Sequence, residues 1–373
     1  MEAVEMKDPR ISRLAHLLVS YSVAVKPGDK VLIRGSSGSL PLVEETFREV
    51  IRAGGYPTVF WEEEIFSEIM LKEANEDQLR HISDPVKITM ETYDCLIGLR
   101  GSLNTRALSN VDASRQQISR IAGRDLMKTF MERSARGELR WTTTIFPTNA
   151  QAQEADMSLN DFEDFVYSAC YVDKDDPVGE WQKVRAKQQK LVEWLAGRDR
   201  VVVKGPNVDL TLSIKGRVFI NADGTANMPD GEVFTGPVED SVNGWIRYTY
   251  PAIYSGREVE GIELRFVDGR VVDASAKKNE DFLISVLDTD PGARYLGEFA
   301  IGTNYGIDRF TKSILYDEKI GGTLHTAVGS GYPETGSQNK SSVHWDMICD
   351  MRNGGQIWVD GDLFYANGQF EVL

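Results

Sequence analysis

Histidine and cysteine are the scarce residues of this chain, four and three respectively among 373. Cys95, Cys170 and Cys349 are odd in number and far apart, and none belongs to a Cys-x-x-Cys pair. That spacing argues against a disulfide framework or a thiolate metal site and fits reduced thiols in a cytoplasmic protein. No apolar run reaches about 18 residues, so no membrane-spanning helix is expected. The opening MEAVEMKDPRISR lacks the basic-then-apolar layout of a secretory leader. Basic residues are outnumbered, 42 Lys and Arg against 57 Asp and Glu, for a net charge of −15. With no basic stripe to neutralise phosphates, nucleic acid and anionic membranes are poor partners. Hydrophobic residues at 41% and charged ones at 27% are those of an ordinary globular protein.

The length exceeds the roughly 250–300 residues at which one hydrophobic core stops growing, so two domains are expected. The two halves follow different patterns. Residues 1–198 alternate helices and strands, with strands expected in KPGDKVLIRGSS, YPTVFW, YDCLIGLRG and ELRWTTTIFP. Between them lie RISRLAHLLVSYSVAV, LPLVEETFREVIRAGG and a long helical stretch over about 112–135, all with apolar residues at helical spacing. Strands separated by helices imply a mainly parallel sheet in an α/β domain. RGSSGS after the first strand matches neither GxGxxG nor GxxxxGK[ST] and reads as a strand-to-helix turn. The helical SLNDFEDFVYSACYV and DPVGEWQKVRAKQQKLVEWLAGRDR close this half and connect it to the next. Residues 199–373 alternate apolar and polar residues between Gly, Asn and Asp turns. VEGIELRFVDGRVVDASAKKN and GQIWVDGDLFYANGQFEVL are hairpins by their Asp-Gly pairs, which predicts a β-rich α+β domain of mostly antiparallel strands.

Two of the four histidines fall in LHTAVGSGYPETGSQNKSSVHWDM, as His325 and His344. Asp346 follows two places after His344, and on a strand that spacing points both side chains to one face. Glu298 in YLGEFAIGTN and Glu232 in MPDGEVFTGP stand upstream. A hydrolytic two-metal site needs a few carboxylates, one or two neutral imidazoles and a carboxylate that bridges the ions. Glu232, Glu298, His325, His344 and Asp346 meet that demand. A histidine on an apolar strand also serves as a structural donor, and a glutamate after glycine as a turn residue. Composition by itself does not select these five.

Several motifs in order do. NMPDGEVFTGP, LGEFAIGTN, YDEKIGGTLHTAVGSGYPETGSQNKSSVHWDMI and the hairpin tail resemble the thermophilic-type metalloaminopeptidases of the M29 family. The likeness extends over nearly the whole chain and includes SLNDFEDFVYSAC, VKPGDKVLI and VEETFREVIRAGGYP. It implies two divalent cations (zinc, cobalt or magnesium) held by Glu232, Glu298, His325, His344 and Asp346, the two histidines standing at the ends of a loop. It also implies Tyr332 close by and Glu318 as general base, although KIGGTL between Glu318 and His325 is longer than in some relatives. The implied activity is release of N-terminal residues from peptides with a free amine, by a homodimer. A dinuclear amidase or phosphoesterase, or a non-catalytic metal-binding relative, is the alternative on the same ligands.

Overall fold

The computed structural model describes residues 8–373; residues 1–7, where the leader reading begins, lie outside them. The chain folds as two compact units. The first runs up to Val178 and takes in Gly224–Pro229, and the second comprises Gly179–Asp223 and Asp230–Leu373. This division differs from one at 198/199 in two places. The helix Pro177–Leu195 belongs from Gly179 onward to the second unit, because its Leu191 and Leu195 are buried with Val201 and Val203 in that unit's core. Its Trp194 stacks on Phe364 at 4.9 Å between ring centroids.

The first unit contains the expected parallel sheet. Its strands are β1 (Lys30–Gly35), β2 (Tyr56–Trp61), β3 (Cys95–Arg100) and β4 (Arg140–Ile145), in the order β2-β1-β3-β4. All neighbours are parallel. A fifth strand, Asn227–Met228, pairs parallel with β4 and comes from far along the chain. The helix Leu40–Arg52 buries Leu42, Val43, Thr46 and Val50, the helical spacing visible in its sequence. The stretch over 112–135 is two helices, Ala113–Ala122 and Arg124–Ala135, parted at Gly123, where a glycine weakens helix continuity.

The second unit packs two large antiparallel sheets around one core and adds a two-stranded one, Ala252–Tyr254 with Arg257–Val259. The larger has eight strands, and three of its hairpins turn at Asp268-Gly269, Asp360-Gly361 and Asn367-Gly368. All six turn residues have positive φ, as tight two-residue hairpins require. The smaller sheet carries every chemistry-bearing residue named above except Glu318 and Tyr332. Its strands are β5 (Glu232–Thr235), β6 (Leu296–Gly302), β7 (Thr323–Gly329) and β8 (His344–Asp350), in the order β8-β7-β6-β5, with Ile220–Ala222 at the far edge. Val233, Phe299, Ile301, Leu324, Val328, Trp345, Met347 and Cys349 face the core. Period two then sends Glu232, Glu298, His325, His344 and Asp346 to the opposite face.

Gly269 has φ +80°, and a Cβ there would lie 1.7 Å from the Glu239 carbonyl oxygen. Gly269→Ala is expected to destabilise the second unit by about 1–3 kcal/mol, read from the midpoint of urea unfolding.

Candidate metal centre

Cross-strand register assembles the site. Glu298 and Asp346 both lie opposite Ala327, His325 lies opposite Ala300, Glu232 opposite Gly302 and His344 opposite Gly329. Each polar side chain thus has an alanine or glycine beside it, so the face stays open enough for five long groups to lean together. Gly302 has a further use. A Cβ there would lie 2.2 Å from the Ile320 carbonyl oxygen, so only glycine lets the segment after the helix Ile314–Asp317 rest against β6. That segment delivers Glu318 and Lys319 to the cluster.

His325 Nε2 lies 3.1 Å from Glu232 Oε2 and 3.4 Å from Glu298 Oε1. His344 Nε2 lies 3.4 Å from Glu298 Oε2 and 3.5 Å from Asp346 Oδ2. The two oxygens of Glu298 therefore face different imidazoles. Three groups converge with donor atoms within 4.8 Å of one another: Glu232, Glu298 and His325; Glu298, His344 and Asp346; and Glu318, His325 and Asp346. All five expected ligands are brought together, and Glu318 joins them. His344 Nδ1 sits 2.8 Å from the Ser330 carbonyl oxygen, which fixes that nitrogen as the donor and leaves Nε2 free to coordinate. His325 is buried inside β7 rather than at the end of a loop. The strand continues for four residues past it, and only His344 borders the loop 330–343.

That loop places Tyr332. Its ring packs against Phe234 at 5.4 Å and edge-on to His344 at 5.3 Å. Ser337 wedges between Gly236 and Gly331, where any Cβ would fall within 2.6 Å of it. Asn339 ties the loop down by donating to the Gly292 and Gly329 carbonyls at 2.9 and 2.5 Å.

Lys319 was not picked out in the sequence. Its side chain is fully buried, contacts Glu318 directly, and lies 3.5 Å from Glu232 and 3.8 Å from Asp230. Nothing in YDEKIGG marks it, because a lysine beside a glutamate is normally an exposed pair. Beyond the end of the short helix both neighbours turn inward instead. Asp317, just before them, braces the preceding turn, accepting from the Thr311 amide at 2.7 Å and the Thr311 hydroxyl at 2.8 Å.

The electrostatics follow from the crowding of carboxylates. Burial pushes the Glu318 carboxyl up to about 8, with Glu232 and Asp346 adding to it and Lys319 opposing. Burial also raises Asp346. Burial would raise Glu298 too, but the two imidazoles outweigh it and hold that carboxyl at about 2. In return His344, though burial works against its charge, rises to about 10 beside Asp346 and Glu298, and His325 rises well above the usual imidazole range. Burial moves the Tyr332 phenol far above its ordinary value, so it stays protonated.

Cations fit this donor set. Glu232 Oε2, Asp346 Oδ1 and both ring nitrogens of His325 are buried with no hydrogen bond. Such atoms are costly unless something else satisfies them. Carboxylate oxygens and imidazole nitrogens at this spacing are the usual ligands of borderline divalent ions. The three cysteines are buried and take no part.

A strand-built cluster of carboxylates and imidazoles around a shared glutamate is a donor set suited to divalent metal ions. The comparisons make this specific: the family model described as Thermophilic metalloprotease (M29) matches residues 7–370, and the chain belongs to that family. It is therefore an enzyme, a metallopeptidase. It is similar to Aminopeptidase 2 of Geobacillus stearothermophilus, with 26% identity over 98% of this chain and 94% of that protein. Aminopeptidase T of Thermus aquaticus is 31% identical over 59% of each chain. The structure of wild-type AmpT from Thermus thermophilus superposes with a TM-score of 0.85 at 21% identity, covering 97% of this chain and 99% of that one. That match shows the same two-part fold.

Lys319→Met would leave buried carboxylates without their cation. It is expected to cost about 3–5 kcal/mol in urea unfolding of the chelator-treated protein. An unchanged midpoint would mean that Lys319 does not compensate the cluster.

Proposed function

We propose that this metallopeptidase is an aminopeptidase that removes the first residue of a peptide with a free N-terminus, at a pair of divalent cations. The observation that carries the proposal is Glu298: its Oε1 and Oε2 point to separate imidazoles, each 3.4 Å away. A carboxylate so placed is built to bridge two ions. Glu232, Glu298 and His325 would hold one, and Glu298, His344 and Asp346 the other. The names of the relatives, aminopeptidases of several kinds, support the substrate class. The family precedent is zinc, cobalt or magnesium, and the mixed oxygen and nitrogen donors do not choose among them.

The bound cations supply Lewis acidity toward the scissile carbonyl and make water a nucleophile at neutral pH. The chain's own residues handle protons and orientation. Glu318 accepts the proton of the attacking water on its carboxylate and returns it to the leaving amine. Lys319 holds that carboxylate in place. Tyr332, kept protonated, donates a hydrogen bond to the oxyanion as it develops, a contact typically worth about 2.7–4 kcal/mol. By family resemblance the working form is a homodimer, and the three scattered, unpaired cysteines fit a cytoplasmic protein. Among the described residues, no helix is long and apolar enough to cross a membrane.

Hydrolysis of leucyl p-nitroanilide is expected to stop on thorough chelation and to return with zinc or cobalt. Activity that survives metal removal would overturn the proposal. Glu318→Gln should keep its metal content by elemental analysis and lower kcat by about 10²–10⁴-fold, with little change in KM. Glu298→Ala should lose both ions, whereas His344→Ala should lose one preferentially. Blocking the substrate's amine by acetylation should abolish turnover.

A further inference from the structure

The first unit holds a cavity of about 700 Å³ that the peptidase chemistry does not use. It sits at the carboxyl ends of β1 and β3, lined by Arg34 to Ser36 and by Gly98 to Ser102. The strand order β2-β1-β3-β4 makes this the place where connections diverge, since β1 leads to β2 on one side and β3 to β4 on the other. In open parallel sheets ligands bind in the crevice at such a switch point. The volume is that of an ordinary small-molecule pocket.

Gly98 supports the same reading. It lies inside a central strand, in register with Arg34 on β1 and Thr143 on β4. Glycine weakens a strand interior, and it commonly marks a point of close approach by a ligand. The atoms nearest to a Cβ at Gly98 are the Thr143 side chain at 3.1 Å and the Thr142 carbonyl oxygen at 3.7 Å, so backbone packing does not demand glycine here. What its absent side chain leaves is cavity.

The lining has an apolar end and a charged end. Leu96, Leu126, Phe130 and Trp141 form the first, with Phe130 and Trp141 at 5.4 Å between centroids. At the other end Arg34 is matched by Glu62 in a two-pronged pair at 2.8 and 3.1 Å. Arg100 makes no hydrogen bond or ion pair through its guanidinium with any described residue, and it is exposed. Glu63 accepts from the Ser37 amide and hydroxyl, both at 2.9 Å, and Glu64 accepts from the Ser102 hydroxyl and the Asn104 amide. These two carboxylates are oriented by neutral donors and pair with no cation among the described residues. The cavity therefore offers one unmatched positive group, two unmatched negative groups and an aromatic wall.

We propose that this cavity is a second small-molecule site, which takes a free apolar α-amino acid. The carboxylate pairs with Arg100, the ammonium with Glu63 or Glu64, and the side chain lies against Phe130 and Trp141. A polyphosphate is disfavoured by the two unmatched glutamates, and a purely apolar ligand leaves all three charges unanswered.

Titration calorimetry of L-phenylalanine into the metal-loaded full chain tests this. Binding is expected to weaken at least tenfold in Arg100→Gln and to vanish in Gly98→Leu, while both variants keep the wild-type kcat/KM on leucyl p-nitroanilide. N-acetylphenylalanine and phenylalanine amide should each bind at least tenfold more weakly. If Gly98→Leu does not fold by circular dichroism, Phe130→Ala replaces it, with at least a tenfold loss expected. Affinity unchanged in Arg100→Gln would overturn the proposal. So would binding that is absent in the wild type, or binding that His325→Ala removes, which would assign it to the metal centre. Binding and hydrolysis are read separately, so an inactive chain that still binds phenylalanine at Arg100 supports this site and counts only against the aminopeptidase reading.

Discussion

Five carboxylates, those of Asp230, Glu232, Glu298, Glu318 and Asp346, are gathered in one poorly hydrated space. The smaller sheet of the second unit is arranged around that constraint. Like charges in low dielectric repel strongly, and each buried ion loses several kcal/mol of hydration. The fold supplies one permanent counter-charge, the buried Lys319, and two conditional ones, His325 and His344. Both imidazoles rise to hold protons between the same carboxylates that divalent cations would bridge. The site is thus incomplete in charge without added cations.

The sheet makes this crowding possible through two simple devices. Alternation sends one residue set to the core and the other to the site, so the same strands carry Phe299 and Glu298, or Trp345 and Asp346, without conflict. Alanine and glycine at Ala300, Gly302, Ala327 and Gly329 keep the site face clear across every strand boundary. Where chain must cross close to chain, at Gly302 under Ile320 and at Gly331 beside Ser337, only hydrogen fits. These glycines place Lys319 and Tyr332 as surely as any hydrogen bond does.

Local signals were read well where a single physical rule decides them. The four parallel strands, the helix Leu40–Arg52 and the Asp-Gly hairpins follow from apolar spacing and turn chemistry, and each is present. The strand reading of HWD placed His344 and Asp346 on one face, as observed. Non-local relations were less visible. Asn227–Met228 pairs with β4, which lies far earlier in the chain, and no local pattern announces such a partner. His325 proved to be mid-strand because β7 continues through small residues, which carry no sharp stop signal.

The sequence by itself determined the two-part architecture, the period-two strands and the residue types able to hold metal, since these depend on spacing along the chain. Family resemblance singled out Glu232 and Glu298 among the many glutamates, something composition could not do. Tertiary structure alone decided that Glu298 turns its two oxygens to two different histidines. It also decided that Lys319 is buried among the carboxylates, and that Arg100 lines a cavity with no partner among the described residues. Those outcomes depend on register and on close approach between segments distant in the chain, and spacing along one strand carries no record of either.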